Sequence, residues 1–328
     1  EQETKGTEAN WTIFDNFRVY CTSNQVDLTT FKEAYEAALA AAKEAQQDTL
    51  VTGEELTALN AAVAQYETIA EPTQEAYEEA TTALAEATAT LTGARASYKT
   101  LADAKKAVKD YPYAAGQKVA DLEATLAVAP ASAAAADSLT AVLQQQERIV
   151  SESNVMAESD TTATDMTDSI INPTAAADLD ANVWKTTGGK INIKSGEPWT
   201  DADGNAEHRY FDSDNWSSSA WTTSLTQEVK LEEGKYILSV ISRASADMTG
   251  FKLFAMTGDT ELASTEMPHT GASGNLFNRG WDRSYIVFDV PADTTVTLGV
   301  EGATSTVHNW MSFSDFRLVQ FTPAPHLT

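Results

Sequence analysis

The sequence predicts a multidomain α + β protein, with all-α helical bundles followed by an all-β jelly-roll sandwich. Three observations carry that expectation. Six of the seven tryptophans and 12 of the 16 glycines lie beyond residue 150. The stretch before it is rich in Ala, Glu, Gln and Leu, which favour helix. The stretch after about 160 is rich in Thr, Ser, Val, Gly and aromatics, which favour strands and turns. The spacing of apolar residues changes at the same place, from steps of three and four to alternation.

The helical elements come first. "TTFKEAYEAALAAAKEAQQ" places Phe31, Tyr35, Leu39 and Ala42 on one helical face, with Thr30 and Glu33 as a capping box. "TGEELTALNAAVAQYETI" repeats the pattern with Leu56, Leu59, Val63 and Tyr66, and Thr52 and Glu55 as its box. A long helix follows Pro72, with a stripe through Tyr77, Ala80, Leu84, Ala87, Leu91, Ala94 and Tyr98. Gly93 within it costs about 1 kcal/mol and need not break it. Two more helices lie after Tyr111–Tyr113 and after Pro130. Short connections imply antiparallel neighbours. Residues 28–150 therefore read as a five-helix spacer, two in-line three-helix bundles sharing the long helix. Its many alanines imply close approach and a thin rod.

The strands follow. "SIIN" (169–172) reads as a short strand ended by Pro173, and "KINIK" (190–194) alternates. "SLTQEVKL", the turn "EEG" and "KYILSVISRAS" make a hairpin. In its second arm Tyr236, Leu238 and Val240 share one face and Ile237, Ser239 and Ile241 the other. "GFKLFAMT", "SYIVFDV", "TTVTLGVEG" and "WMSFSDFRLVQF" complete the series. Short alternating strands separated by polar turns predict an antiparallel sandwich.

Charge and motifs narrow the function. The 328 residues carry a formal net charge of −26, with 22 basic residues in no cluster. That argues against nucleic acid and against an anionic membrane surface. No apolar run approaches the roughly 20 residues of a membrane span, and no secretion signal is recognisable. The single cysteine, Cys21, allows no disulfide within the chain and reads as an incidental thiol. Neither Gly-x-Ser-x-Gly, nor His-Glu-x-x-His, nor a P-loop occurs, and no carboxylate pair stands out, so no enzyme is expected.

The order "INP", a lone Trp184, "RYFDSDNW", "LTQEVKLEEGKYILSVISR" and "NWMSFSDFRLVQF" resembles galactose-binding-like jelly-roll modules, over most of 155–322. Such modules occur in surface and secreted proteins of Bacteroidetes, many tied to glycan use. The helical part is similar to the alanine-rich spacers of the FIVAR type. The resemblance implies an extracellular or cell-surface setting, with a glycan or a neighbouring surface protein as partner.

"ANWTIFDNFRVY" near the start matches "HNWMSFSDFRLV" near the end: Asn10, Trp11, Phe14, Phe17 and Arg18 recur at a constant offset of 299. Residues 1–22 thus read as the last strand of a preceding sandwich-like repeat, and the chain as a slice of a modular array. That strand is expected to pair with another chain or a sheet edge. The alternative is a strap lying along the first helical module.

Sugar-binding sandwiches stack aromatic rings on sugar C–H groups and fix hydroxyls with Asn, Asp, Arg or Gln. The candidates are the loop tryptophans Trp199, Trp216, Trp221 and Trp281, with Asn275, Asn278, Arg279 and Arg283 beside the last. Trp184 and Trp310 sit in strands and read as core, and Tyr210 and Phe211 as structural. No cofactor is required. The resemblance implies a structural calcium, with Asp315 at the matching late position and Asp178 or Asp180 as substitutes for the early ligand. "DADGN" (201–205) resembles part of an EF-hand loop, but lacks the later Glu and the flanking helices, and reads as a turn. Two functions remain: a non-catalytic carbohydrate-binding or adhesive module of a larger bacterial protein, or a purely structural, protein-interaction repeat.

Overall fold

Five helices form where the three-and-four spacing places them: α1 (Thr29–Ala45), α2 (Glu54–Tyr66), α3 (Gln74–Ala107), α4 (Gln117–Ala127) and α5 (Ala133–Ser153). The computed structural model describes residues 18, 26–114, 116–155, 163–215, 220–304 and 309–321. Apart from Arg18, the expected opening strand lies outside the described residues. No helix among them is long and apolar enough to cross a membrane.

The chain divides into two compact units, one of Glu1–Ala96 with Ala131–Ala133, the other of Ser97–Pro130 with Ala134–Thr328. The division does not separate helices from strands. The end of α3, with α4 and nearly all of α5, falls in the unit of the sandwich.

In the first unit, α1, α2 and the start of α3 bury Tyr35, Ala42, Leu59, Val63, Tyr77, Ala80, Leu84, Leu91 and Ala94. The predicted stripe on α3 is the buried one, with Ala87 only half-buried. The capping boxes are not formed. The backbone N–H of Thr29 donates to Asp27 Oδ1 (3.0 Å), so the helix starts before Thr30. Gly53 is the residue before α2, and the Glu55 carboxylate accepts from the Ala133 N–H at 2.7 Å. A glutamate two places into a helix can reach a neighbouring segment as readily as its own cap.

In the second unit, Leu101, Leu122, Ala136, Leu143 and Val150 are buried. Lys105 Nζ donates to the carbonyls of Leu126 (2.8 Å) and Val128 (2.6 Å), satisfying the open C-terminal end of α4.

The sandwich has two antiparallel sheets. One runs β3 (Asn192–Lys194), β4 (Tyr210–Asn215), β11 (Asn309–Phe321), β6 (Gly234–Ala244), β9 (Asp282–Val290), and β1 (Ala163–Asp165) also pairs with β11. The other runs β2 (Lys185–Gly188), β5 (Trp221–Leu231), β10 (Thr294–Thr304), β7 (Thr249–Thr257), β8 (Thr260–Glu266). Between them Tyr236, Leu238 and Val240 meet Leu225, Leu253, Val300 and Phe313 in one core, as the alternation predicts. Trp184 is in that core, 2% exposed, and Tyr210 and Phe211 are buried as expected. Trp310 is half-buried rather than core.

The expected strand at 169–172 is absent. A short 3-10 turn occupies Thr167–Ser169, and Asn172 has φ 55°. Ile170 enters the core nonetheless while Ile171 is exposed, so one apolar residue of a loop is buried, which period alone cannot tell from a strand.

Strand β11 contains a bulge. Ser314 opposes Ile241 and Arg317 opposes Ser239, so Asp315 and Phe316 together face the one residue between. The extra residue lets Phe313 and Phe316, three apart, both point into the core, where regular alternation would separate them. Asp315 takes φ 50°, the left-handed region that Asp and Asn tolerate better than most residues.

Strand β6 is buried on both faces. Outward-pointing Ile241 packs with Trp199, Tyr210, Phe277 and Trp281. Outward-pointing Ile237 packs with Val155 and Val319, with Tyr113 and Phe321 against them. Loops cover one part of this outer face, and the turns that follow α3 and α5, with Tyr113 and Val155, cover the other.

Candidate functional site

The loop tryptophans expected to stack on a ligand are mostly interior. Trp281 is 0% exposed and Trp199 3%. Their rings lie 5.3 Å apart, and Trp281 meets Tyr210 edge-on at 5.2 Å. The Trp281 Nε1–H donates to the Glu197 carbonyl at 2.9 Å. Turn-rich composition correctly placed these rings on loops, but the loops fold back over an apolar sheet face, so burial of ring area sets their position. Trp281 therefore offers no free face. Trp221 is partly buried at the start of β5, packed against the main core. Trp216 lies outside the described residues.

The polar residues near Trp281 serve the same loops. Asn275, Asn278 and Arg279 all have positive φ, at 65°, 64° and 50°. Asn275 Nδ2 donates to Thr270 Oγ1 (2.9 Å) and to the Gly280 carbonyl (2.7 Å), and Asn278 Nδ2 to Thr200 Oγ1 (3.1 Å). Arg279 Nη1 reaches the Gly196 carbonyl at 3.4 Å. Gly280 (φ 82°) closes the turn, and a Cβ there would overlap the Gly271 carbonyl oxygen. These side chains shape a loop, and Asn275 also lines a smaller cavity of about 190 Å³ with Asp282 and Glu147.

A guanidinium sits at the centre of the aromatic cluster. Arg243, on β6, lies 5.0 Å from the Trp281 and Trp310 ring centroids and 5.7 Å from that of Tyr210. It pairs with Glu197 at 2.9 Å. The rings best suited to a ligand already hold the chain's own cation.

Asp315, expected as a calcium ligand, is used differently. Its Oδ2 accepts from Arg283 at 2.5 Å and from Arg317 at 2.8 Å. A metal ion there would stand beside two guanidiniums, whose charge opposes it. Burial alone would raise the Asp315 carboxyl, but the two guanidiniums overcome that and bring it down to about 2. Asp178 is fully exposed beside Arg209, and Asp180 caps the backbone N–H of Asn182 at 2.8 Å. No three His, Cys, Asp or Glu among the described residues converge as a metal would require.

A cavity of about 430 Å³ opens beside this network. Asp315 and Arg317 line it from the bulge of β11, and Thr174 and Ala176 from the segment that follows Pro173. Trp199, Asp201, Glu207, His208 and Arg209 line it from the β3–β4 connection. The bulge positions its part: the Phe316 N–H donates to the Pro173 carbonyl at 3.1 Å, tying β11 to the opposite wall. The connection is fixed by a turn at 201–205, where Asp201 Oδ1 accepts the N–H groups of Asp203 (3.0 Å) and Asn205 (2.8 Å). His208 stacks on Trp199, ring centroids 4.2 Å apart and planes 5° off parallel, and its Nε2 is 3.5 Å from Asp201 Oδ2.

Basic and acidic side chains both line this cavity. Glu207 is exposed and has no hydrogen bond or ion pair among the described residues. Arg317 Nη1 is buried with no hydrogen-bond partner among them. Of the residues singled out in the sequence for ligand or metal, only Trp199 and Asp315 line the cavity. The segment 207–209 and Thr174 carried no composition signal. Arg317 did carry one, as part of the repeated "NW…F…FR" stretch.

No protein-family model matches the sequence, and no curated protein matches it. Among solved structures the chain is similar to TmCBM61 in complex with beta-1,4-galactotriose, at 20% identity, over 41% of this chain and 86% of that chain, with a TM-score of 0.32. It is similar to the Stig cyclase Fisc from Fischerella sp. TAU, at 11% identity, over 50% of this chain and 100% of that chain, with a TM-score of 0.34. It is similar to a CBM4 structure at 14% identity, over 46% of this chain and 99% of that chain, with a TM-score of 0.33. Each likeness covers half of this chain or less, and none says what this chain binds.

Proposed function

We propose that the chain is a non-catalytic carbohydrate-binding module of a larger secreted or cell-surface bacterial protein, with the sugar seated in the cavity between His208 and Arg317. The carrying observation is the lining. A ring stacked on a tryptophan, a carboxylate at Glu207 with no partner among the described residues, and the side chains of Arg209 and Arg317 line one space of about 430 Å³. That volume is within the range of small-molecule sites, roughly 300–1,000 Å³. Sugar hydroxyls donate and accept at once, so a lining that offers both suits them, and the flat ring suits their C–H faces. The surface setting is supported by the repeated "NW…F…FR" stretch, the mark of a modular array.

The non-catalytic reading is supported by the state of Asp315. A glycosidase needs a carboxylic acid that keeps its proton near neutral pH, and the Asp315 carboxyl is held down to about 2.

Native gel electrophoresis of the full chain through immobilised neutral polysaccharides tests the reading. Retardation by at least one polysaccharide, weakened in His208→Ala and in Glu207→Gln, is expected. Both side chains are partly or fully exposed, so folding survives their loss. No retardation on any polysaccharide overturns the reading in favour of a structural repeat, and release of reducing ends overturns its non-catalytic part.

A further inference from the structure

We infer that helix α5 is a positioning element of the cavity, holding its wall and its base from behind through Gln145, Arg148 and Glu152. The inference rests on the cavity being the ligand site. The three residues are spaced i, i+3 and i+7, which puts them on one face of the helix. Gln145 Nε2 donates to the Ala202 carbonyl, inside the 201–205 turn that carries Asp201. Arg148 Nη2 donates to Gln145 Oε1 at 3.2 Å, holding that amide in orientation, while its Nη1 donates to the Leu276 carbonyl at 3.2 Å. Arg148 also faces the Asp201 carboxylate electrostatically. One turn further along, Glu152 Oε1 lies 4.0 Å from Arg317 Nη2, on the guanidinium that Asp315 holds from the other side.

The two grips act on different parts. Gln145 and Arg148 fix where the Trp199–His208 wall stands. Asp315 holds the Arg317 guanidinium at 2.8 Å, and Glu152, 4.0 Å away, adds a longer-range attraction from the helix side. None of the three lines the cavity, so none touches the ligand. Helix α5 therefore sets where the wall of the site stands without contributing a contact to it. A helix that only held the sandwich at a distance would have no reason to place an amide, a guanidinium and a carboxylate on these groups.

Amide hydrogen exchange of the full chain, without ligand, reads the grip directly. In Gln145→Ala the peptides covering 199–209 should exchange about three- to tenfold faster, while those covering β6 and β10 stay unchanged. Val142→Ala, exposed on the same helix, is the control and should change neither. Equal protection of 199–209 in Gln145→Ala and wild type overturns the inference. On a polysaccharide that retards the wild type, Gln145→Ala and Glu152→Gln should each bind about three- to tenfold more weakly. Unchanged affinity in both also overturns it. Faster exchange at 199–209 in a chain that binds no polysaccharide supports the grip and sinks only the carbohydrate reading.

Discussion

Arg283 and Asp315 form an interior ion pair across the first sheet, Nη2 to Oδ2 at 2.5 Å, with side chains 1% and 15% exposed. Arg283 Nη1 adds a bond to the Asp315 carbonyl at 3.2 Å. The pair pins the one residue of β11 whose backbone is left-handed, and so pins the bulge. Removing one partner of an interior pair leaves an uncompensated charge, which costs about 3–5 kcal/mol. Asp315→Ala should lower the unfolding free energy of the sandwich by about that amount in urea titrations. Arg283→Met should cost less, because Asp315 keeps Arg317 as a partner at 2.8 Å.

The same carboxyl makes the sandwich sensitive to acid. Its folded-state value of about 2 lies below the ordinary 3.8, so the unfolded chain binds the proton more readily. The stabilisation is fully present above pH 3.8 and is lost as pH falls toward 2. It amounts to something on the order of 2 kcal/mol. Denaturant midpoints between pH 5 and pH 2 should fall in the wild type and fall less steeply in Asp315→Asn.

Glu147 on α5 works in the opposite direction. Burial raises its carboxyl above the ordinary value, although it accepts from Tyr111 Oη at 2.8 Å and from the Lys109 N–H at 3.1 Å. A raised acid contributes stability below its unfolded value of about 4.5, and that contribution is lost as pH rises through the folded value. Glu147→Gln should therefore flatten the decline above pH 4.5. Near-ultraviolet circular dichroism of Tyr111 and its neighbours, followed with pH in both proteins, checks it.

Phe316 occupies the core only because the bulge turns it inward, and it is 0% exposed. Phe316→Ala should cost about 3–5 kcal/mol, as loss of a large interior ring does. Deleting Ser314 instead should restore regular alternation, turn one of the two phenylalanines outward and prevent a cooperative transition in calorimetry.

Gly280→Ala should destabilise the loop over Trp281 by more than 1 kcal/mol, because it combines a positive φ with overlap of the Gly271 carbonyl. Slower loss of Trp281 fluorescence on acrylamide quenching in the variant than in the wild type would contradict this.

Much of the fold was legible because two periods are hard to confuse. Tyr236, Leu238 and Val240 could only share a face in a strand, and Tyr77 to Tyr98 only in a helix. The site was less legible for a physical reason. Trp199 and Trp281 sit in turn-forming sequence, and composition says where a loop is but not which way its rings turn. A signal was present in β6. Ile237 and Ile241 make its second face apolar too, which calls for a cover on both sides. The rings, and the turns after α3 and α5, are that cover. The spacing of Phe313 and Phe316 was visible as a repeated pattern, but its meaning as a bulge needs the partner strand. The cavity then gathers residues from 174–176, 199–209 and 315–317, which nothing along the chain connects.

The place of β11 governs how the sandwich can be made. It is the shared neighbour of β4 and β6 and also pairs with β1, more than 150 residues earlier. While the chain is leaving the ribosome, β3 with β4 and β6 with β9 can each form a pair, but nothing joins them until residues 309–321 have emerged. Until then the apolar faces of β4 and β6 have an open edge in common. Nascent sandwich is thus most open to capture by chaperones, or by a neighbouring nascent copy, in the interval before its last strand arrives.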